Sequence, residues 1–222
     1  MLKQNNKIKK GFTLSEVLVA IAIMGVIAAA TIPTIINSTN KHEYVDGLKR
    51  ATLILKTATS EVAANNNGTL MYVVTNHDSN AFINKYCTYL NCIKKCNVGT
   101  GAGVCYAADL KNLDGGTYGW TDFSDYSSAI LSNGMSIMIR PGNTSTIDNY
   151  GEVYVDVNGF KPPNIIGRDI FVFMVNHTPP AIRQSYVGEY YCSAPPSTYH
   201  PELGYNGRGC GIKILTEGAM NY

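Results

Sequence analysis

The sequence predicts an α+β chain: a long N-terminal helix, apolar in its first half and amphipathic in its second, packed on a small antiparallel β-sheet head. Two patterns predict it. Twenty-five residues from Phe12 to Ile36 carry Glu16 as their only charge, and an apolar stripe at helical spacing follows directly. Later, Met135 to Arg140, Glu152 to Val157 and Ile170 to Val175 are rich in β-branched and aromatic residues and bounded by turn dipeptides.

At 222 residues, 15% charged and 45% hydrophobic, the composition is that of a globular protein, neither disordered nor collagenous. The length fits one domain, or one with an appendage, and excludes a multidomain enzyme. The net charge of +2 is uneven: without Lys3, Lys7, Lys9 and Lys10 the chain has 14 basic against 16 acidic residues, net −2. That balance makes nucleic acid an unexpected partner, since such affinity rests on phosphate neutralisation.

The sixteen residues from Val17 to Ile32 hold no charge, and as a helix the stretch is long enough to span a lipid bilayer. Four lysines precede it, whereas Lys41, His42, Glu43 and Asp46 follow in mixed sign, which places the N-terminus in the cytoplasm and the remainder across the membrane. Six cysteines agree with an exported head, because disulfides persist outside the cytoplasm. A cleaved secretory signal, cut near Ala28, Ala29 and Ala30, or a plain single-span anchor would account for hydropathy. Neither accounts for Glu16, since an acid in a membrane segment costs free energy and marks a function.

The residues Lys9-Lys10-Gly11-Phe12-Thr13-Leu14-Ser15-Glu16, followed by the apolar run, resemble the leader junction of type IV prepilins and type II secretion pseudopilins. The resemblance is tight over Lys9 to Ile36 and covers the rest only in outline. It implies that prepilin peptidase cuts after Gly11 on the cytoplasmic face and methylates Phe12. Glu16 then becomes the fifth mature residue, where that family carries a glutamate, and Pro33 the twenty-second, a frequent kink position.

Glu16 in hydrocarbon needs a partner, and the free amine of Phe12 on a neighbouring subunit is a cation at that depth. Pairing them favours one axial stagger between subunits, so the segment is built to assemble. Gly25 and Pro33 weaken the helix between them, by about 1 kcal/mol for the glycine and through a lost backbone bond for the proline.

Beyond the membrane, Tyr44, Leu48, Ala51, Leu55, Ala58 and Val62 draw one stripe while Lys41, Glu43, Asp46, Lys49, Arg50 and Lys56 lie elsewhere, so this half packs on a head. Asn65-Asn66-Asn67-Gly68 supplies a left-handed stop. The expected organisation is a leader over 1–11, a transmembrane and assembly helix over 12–36, its amphipathic continuation over 37–67 and an exported head over 68–222. In the head, Ala81 to Leu90 and Ser124 to Leu131 read as short helices. The three strands, bounded by Asn133-Gly134, Pro141-Gly142 and Asn158-Gly159, read as a meander packed on the Tyr44 to Val62 stripe. A helix-on-sheet head is also what the resemblance implies.

Between two of these strands, Asp156, Asn158, Asn164 and Asp169 form a D-x-N-G-x-x-x-P-N-x-x-G-x-D segment similar to one in some pilin-like heads. Its oxygens suit a hard cation such as calcium, with Asp156, Asn158 and Asp169 as the metal candidates, although an EF-hand's third early acid and terminal Glu are missing. The other reading is a plain turn braced by Arg168 and Asp169. The cysteines fall into two groups, predicting two bridges among Cys87, Cys92, Cys96 and Cys105, with their connectivity open, and one between Cys192 and Cys210. The last would close a Tyr-rich loop, as the C-terminal disulfide does in many type IV pilins. Zinc is disfavoured because the spacings form no C-x-x-C ribbon.

No H-E-x-x-H, G-x-S-x-G or P-loop motif is present, Gly99-Thr100-Gly101-Ala102-Gly103 reads as flexible linker, and the four histidines sit in polar sequence suited to surface roles. The expected function is a structural filament subunit, not an enzyme. Its expected partners are prepilin peptidase, itself and other pilin-like subunits, the inner-membrane assembly machinery and the lipid bilayer. It would be a single-pass inner-membrane protein, then part of a periplasmic or surface filament. The alternatives are a type II secretion pseudopilin, or a minor subunit for tip adhesion or DNA uptake; the Lys94-Lys95 patch is too small to favour DNA.

Overall fold

The computed structural model of the protein describes residues 11–74, 78–117, 123–142, 150–177, 179–184, 192 and 207–222. Helix α1 runs from Leu14 to Ala64, and the chain divides into two compact units, Met1–Asn40 and Lys41–Tyr222. In the first unit the helix continues unbroken through Pro33. Every large apolar side chain from Phe12 to Ile36 is exposed. The hydroxyls of Thr31 and Thr39 donate to the carbonyls of Ile27 and Ile35, both at 3.0 Å. Their polar groups are thus satisfied inside the helix, which an apolar surrounding requires.

In the second unit, Tyr44, Leu48, Ala51, Leu55, Ala58 and Val62 of α1 are all at most 5% exposed and join one core cluster. The helix stops where the asparagine run begins: Asn67 and Gly68 take φ of 55° and 74°, and the Gly68 N–H returns to the Ala63 carbonyl at 2.9 Å. A single turn of helix, α2, covers Met71–Val74. Helix α3, Ser79–Cys87, begins on Asp78, whose side chain accepts from the Ala81 N–H at 3.0 Å. It starts and ends earlier than the expected Ala81 to Leu90. Helix α4, Cys210–Glu217, ends on Gly218 at φ 73°, whose N–H bonds the Ile214 carbonyl.

Six strands, β1 Cys92–Cys96, β2 Ser127–Leu131, β3 Ser136–Arg140, β4 Tyr150–Asp156, β5 Ile170–His177 and β6 Pro180–Gln184, form one sheet in sequential order. All five pairings are antiparallel, so the meander is twice the expected size. Strand residues divide by parity between two cores. Ile137, Val153, Val155 and Phe173 join the cluster of α1, α3 and α4. Met138, Tyr154 and Val172 join Tyr106, Leu110, Phe123 and Tyr126 from the long β1–β2 connection. There the rings of Phe123, Tyr126 and Tyr154 meet edge to face at centroid distances of 4.9 to 5.6 Å.

Three expectations are corrected. Ser124 to Leu131 is not a helix: Ser127–Leu131 is β2, because ladders to β1 and β3 override the weak helical preference of Ser-Ser-Ala-Ile-Leu. Gly99 to Gly103 is not flexible linker. The Gly101 carbonyl accepts from Cys105 N at 2.7 Å, and a Cβ there would stand 2.6 Å from the Tyr106 ring, so only glycine permits this approach. His177 is not a surface residue but lies buried in β5. His77 and His200 lie outside the described residues.

Candidate functional site

The Gly11–Phe12 bond lies in exposed, non-helical chain immediately before α1. The start of α1 is a reciprocal cap. The Thr13 N–H and the Thr13 hydroxyl both donate to Glu16 Oε2 at 2.8 Å, while the Glu16 N–H donates to Thr13 Oγ1 at 3.3 Å. This is a capping box, with Thr13 at the cap and Glu16 three residues on. Its sequence signature, Thr-Leu-Ser-Glu before an apolar run, was visible, yet the sequence reading gave Glu16 only an intermolecular role. Around this acid, Phe12 is 89% exposed and the helix surface is apolar to Ile36.

The head is fastened by three disulfides, Cys87–Cys92, Cys96–Cys105 and Cys192–Cys210. The first joins the end of α3 to β1, the second ties β1 to the connection that follows it, and the third anchors the start of α4. Lys94 and Lys95 are exposed on β1, and Lys95 Nζ reaches Asn84 Oδ1 at 2.6 Å.

The β4–β5 connection brings the expected metal candidates together. Asp169 Oδ2 accepts from Asn164 N at 2.8 Å and Oδ1 from Ile165 N at 2.7 Å, which pins the loop around its carboxylate. Asp156 Oδ1 accepts from Asn158 N at 3.2 Å. Burial, then the neighbouring charge of Asp169, pushes the Asp156 carboxyl up to about 8. Burial also raises Asp169, against the backbone hydrogen bonds it receives. Asn164 holds the loop in a left-handed turn at φ 55°, and the Tyr222 hydroxyl donates to the Gly167 carbonyl. Among the described residues no three His, Cys, Asp or Glu side chains gather in a metal-binding group.

A membrane-length apolar helix that opens on an acid and leads into a helix-on-sheet head fits a membrane-anchored, pilin-like subunit. Residues 6–32 match the family described as the prokaryotic N-terminal methylation motif. That motif is the hallmark of type IV pilin and pseudopilin precursors, and over these residues the chain is similar to pilin-like substrates of prepilin peptidase. Proteins bearing it are structural rather than enzymatic. No curated protein and no solved structure matches the chain.

Proposed function

We propose that the protein is a filament subunit of a type IV pilus, cut after Gly11, methylated on Phe12 and polymerised through the apolar face of 12–36. The observation that carries this reading is the exposed apolar surface from Phe12 to Ile36 around one acidic residue. Such a surface is unstable in water, at home in lipid, and able to pack on copies of itself once extracted. In the lipid-embedded subunit Thr13 holds the Glu16 carboxylate. In the filament the Phe12 amine of a neighbour takes it over, exchanging a neutral donor pair for a cation and fixing the stagger. On this reading 1–11 is the leader, 12–36 the transmembrane and assembly segment, 37–67 its continuation into the head and 68–222 the exported head. The N-terminus faces the cytoplasm and the inner-membrane assembly machinery.

Intact-mass measurement of membrane-extracted protein tests the processing step. A chain starting at Phe12 with one added methyl group is expected; a chain starting after Ala30, or one retaining Met1, overturns the reading. Abundance in sheared surface filaments then separates a pilus subunit from a secretion pseudopilin.

A further inference from the structure

We propose that Thr13 is a positioning residue for leader removal: its hydroxyl stops α1 just short of the Gly11–Phe12 bond and keeps that bond in chain a peptidase can engage. The role rests on the cut after Gly11 proposed above. Gly11, Phe12 and Thr13 are exposed and lie outside α1. The Val17 N–H returns to the Thr13 carbonyl at 3.2 Å. For the helix to begin one residue earlier, the Glu16 N–H would have to bond the Phe12 carbonyl. It donates to Thr13 Oγ1 instead, at 3.3 Å. The Thr13 N–H, which a helix begun further back would aim at the Lys9 carbonyl, donates to Glu16 Oε2 at 2.8 Å. Both donors needed to extend the helix toward the leader are therefore held within the cap.

The first N–H groups of a helix have no partner inside it, and at an apolar boundary each one needs an acceptor. Valine at position 13 would leave the Glu16 N–H without its acceptor. The next one within helical reach is the Phe12 carbonyl, so the helix grows backwards until its free N–H groups reach water. That growth carries Phe12 and then Gly11 into helical backbone. Gly11 alone is a weak stop, since glycine disfavours a helix without forbidding it.

Hydrolysis adds one water across the Gly11–Phe12 bond. The carbon–nitrogen bond breaks, the hydroxyl goes to the Gly11 carbonyl carbon, which leaves with the leader as a carboxylic acid, and the proton goes to the Phe12 nitrogen. Proteolysis favours exposed chain free of regular structure, so a helical bond must unwind first, and its cleavage rate follows the population of the unwound form. Loss of a helix cap changes such a population about fivefold. A peptidase that reads the Thr13 hydroxyl directly would give the same loss with valine, but it would not accept a cap of different shape.

The test uses the full-length precursor in detergent micelles with purified prepilin peptidase, following kcat/KM for leader release by mass. Thr13→Val, which keeps the shape and removes the acceptor, should lower kcat/KM about fivefold. Thr13→Ser and Thr13→Asn, both good caps, should be cut at the wild-type rate. In precursor carrying ¹³C-labelled phenylalanine, the Phe12 Cα shift should be non-helical in wild type and in Thr13→Asn, and should move to helical values in Thr13→Val. Cleavage of Thr13→Val at the wild-type rate, cleavage of Thr13→Asn as slow as that of Thr13→Val, or a Phe12 shift unchanged in the slow variant would overturn the proposal. Wild type left uncut would overturn the processing reading itself, and the role of Thr13 with it.

Discussion

Arg208 donates to Glu152 Oε1 at 2.6 Å across 56 residues of sequence, tying the turn that carries Cys210 to the middle of the sheet. On the other oxygen, Tyr126 donates at 2.6 Å and Arg140 at 3.0 and 3.2 Å. The Arg208 guanidinium is fully buried, 5.6 Å from the Tyr154 ring centroid. Among the described residues Glu152 is the carboxylate on which both arginines converge, and removing one partner of a buried ion pair is strongly destabilising, so Glu152→Gln should cost about 3–5 kcal/mol in denaturant unfolding. Arg140 is about one-third exposed, which moves the expectation to the lower end.

The same cluster sets an acid limit. Burial alone would raise the Glu152 carboxyl, but the charges of Arg208 and Arg140 and the hydrogen bonds from Tyr126 and Arg208 hold it below the ordinary glutamate range. A folded-state value below the unfolded one adds stability above about pH 4.3, and that stability is lost as pH falls through the lower, folded value. Acid unfolding of wild type should therefore be steeper than that of Glu152→Gln. Parallel acid profiles would show that the carboxylate is not held ionised by its neighbours.

The long helix and strands β3 to β5 were legible because their signals are local: a stripe at helical spacing, and β-branched runs closed by Asn-Gly and Pro-Gly. What escaped depends on distant partners. Ser127-Ser128-Ala129-Ile130-Leu131 has no strong strand preference and becomes β2 only between two other strands. Strand β1, Cys-Ile-Lys-Lys-Cys, is a short edge carrying exposed lysines. Glu152 looked like one more residue of a strand, since Arg208 arrives from a separate loop. The β4–β5 connection showed its donors in sequence, but not that Asp169 spends its oxygens on the backbone while Asn164 keeps its own.

Gly47 on α1 lies against Val157, so a Cβ added there would stand 2.8 Å from Val157 Cβ. Alanine gains about 1 kcal/mol of helix preference, whereas overpacking costs about 1–3 kcal/mol. Gly47→Ala should therefore lower the melting temperature. Val157→Ala should rescue it only in part, because it removes the Cγ2 contact at 2.9 Å and leaves the Cβ contact at 2.8 Å, whereas Val157→Gly removes both. No rescue by Val157→Gly would place the contact elsewhere.

The disulfides close loops with sequence separations of 5, 9 and 18 residues. Chain entropy then ranks their losses at about 2, 2.5 and 3 kcal/mol, with Cys192–Cys210 contributing most. Replacing each pair by alanine and comparing urea midpoints checks the order. A larger loss for Cys87–Cys92 would mean that folded-state strain or packing outweighs loop closure.

Thr13 and Glu16 make the last prediction a coupled one. Glu16→Leu removes the only charge of the segment, and an acid costs about 2.5–3.5 kcal/mol at a membrane helix centre and less at its end. Membrane abundance should therefore hold or rise while filament incorporation falls, in cells lacking the wild-type copy. Thr13→Val keeps the charge but removes the hydroxyl, a cap loss of about 1 kcal/mol. It should lower membrane abundance in the Glu16 background and have a smaller effect in the Glu16→Leu background, because the lost bond no longer has an acceptor. Equal losses in both backgrounds would mean that Thr13 serves the helix alone. Normal filament incorporation of Glu16→Leu would remove the carboxylate from assembly altogether.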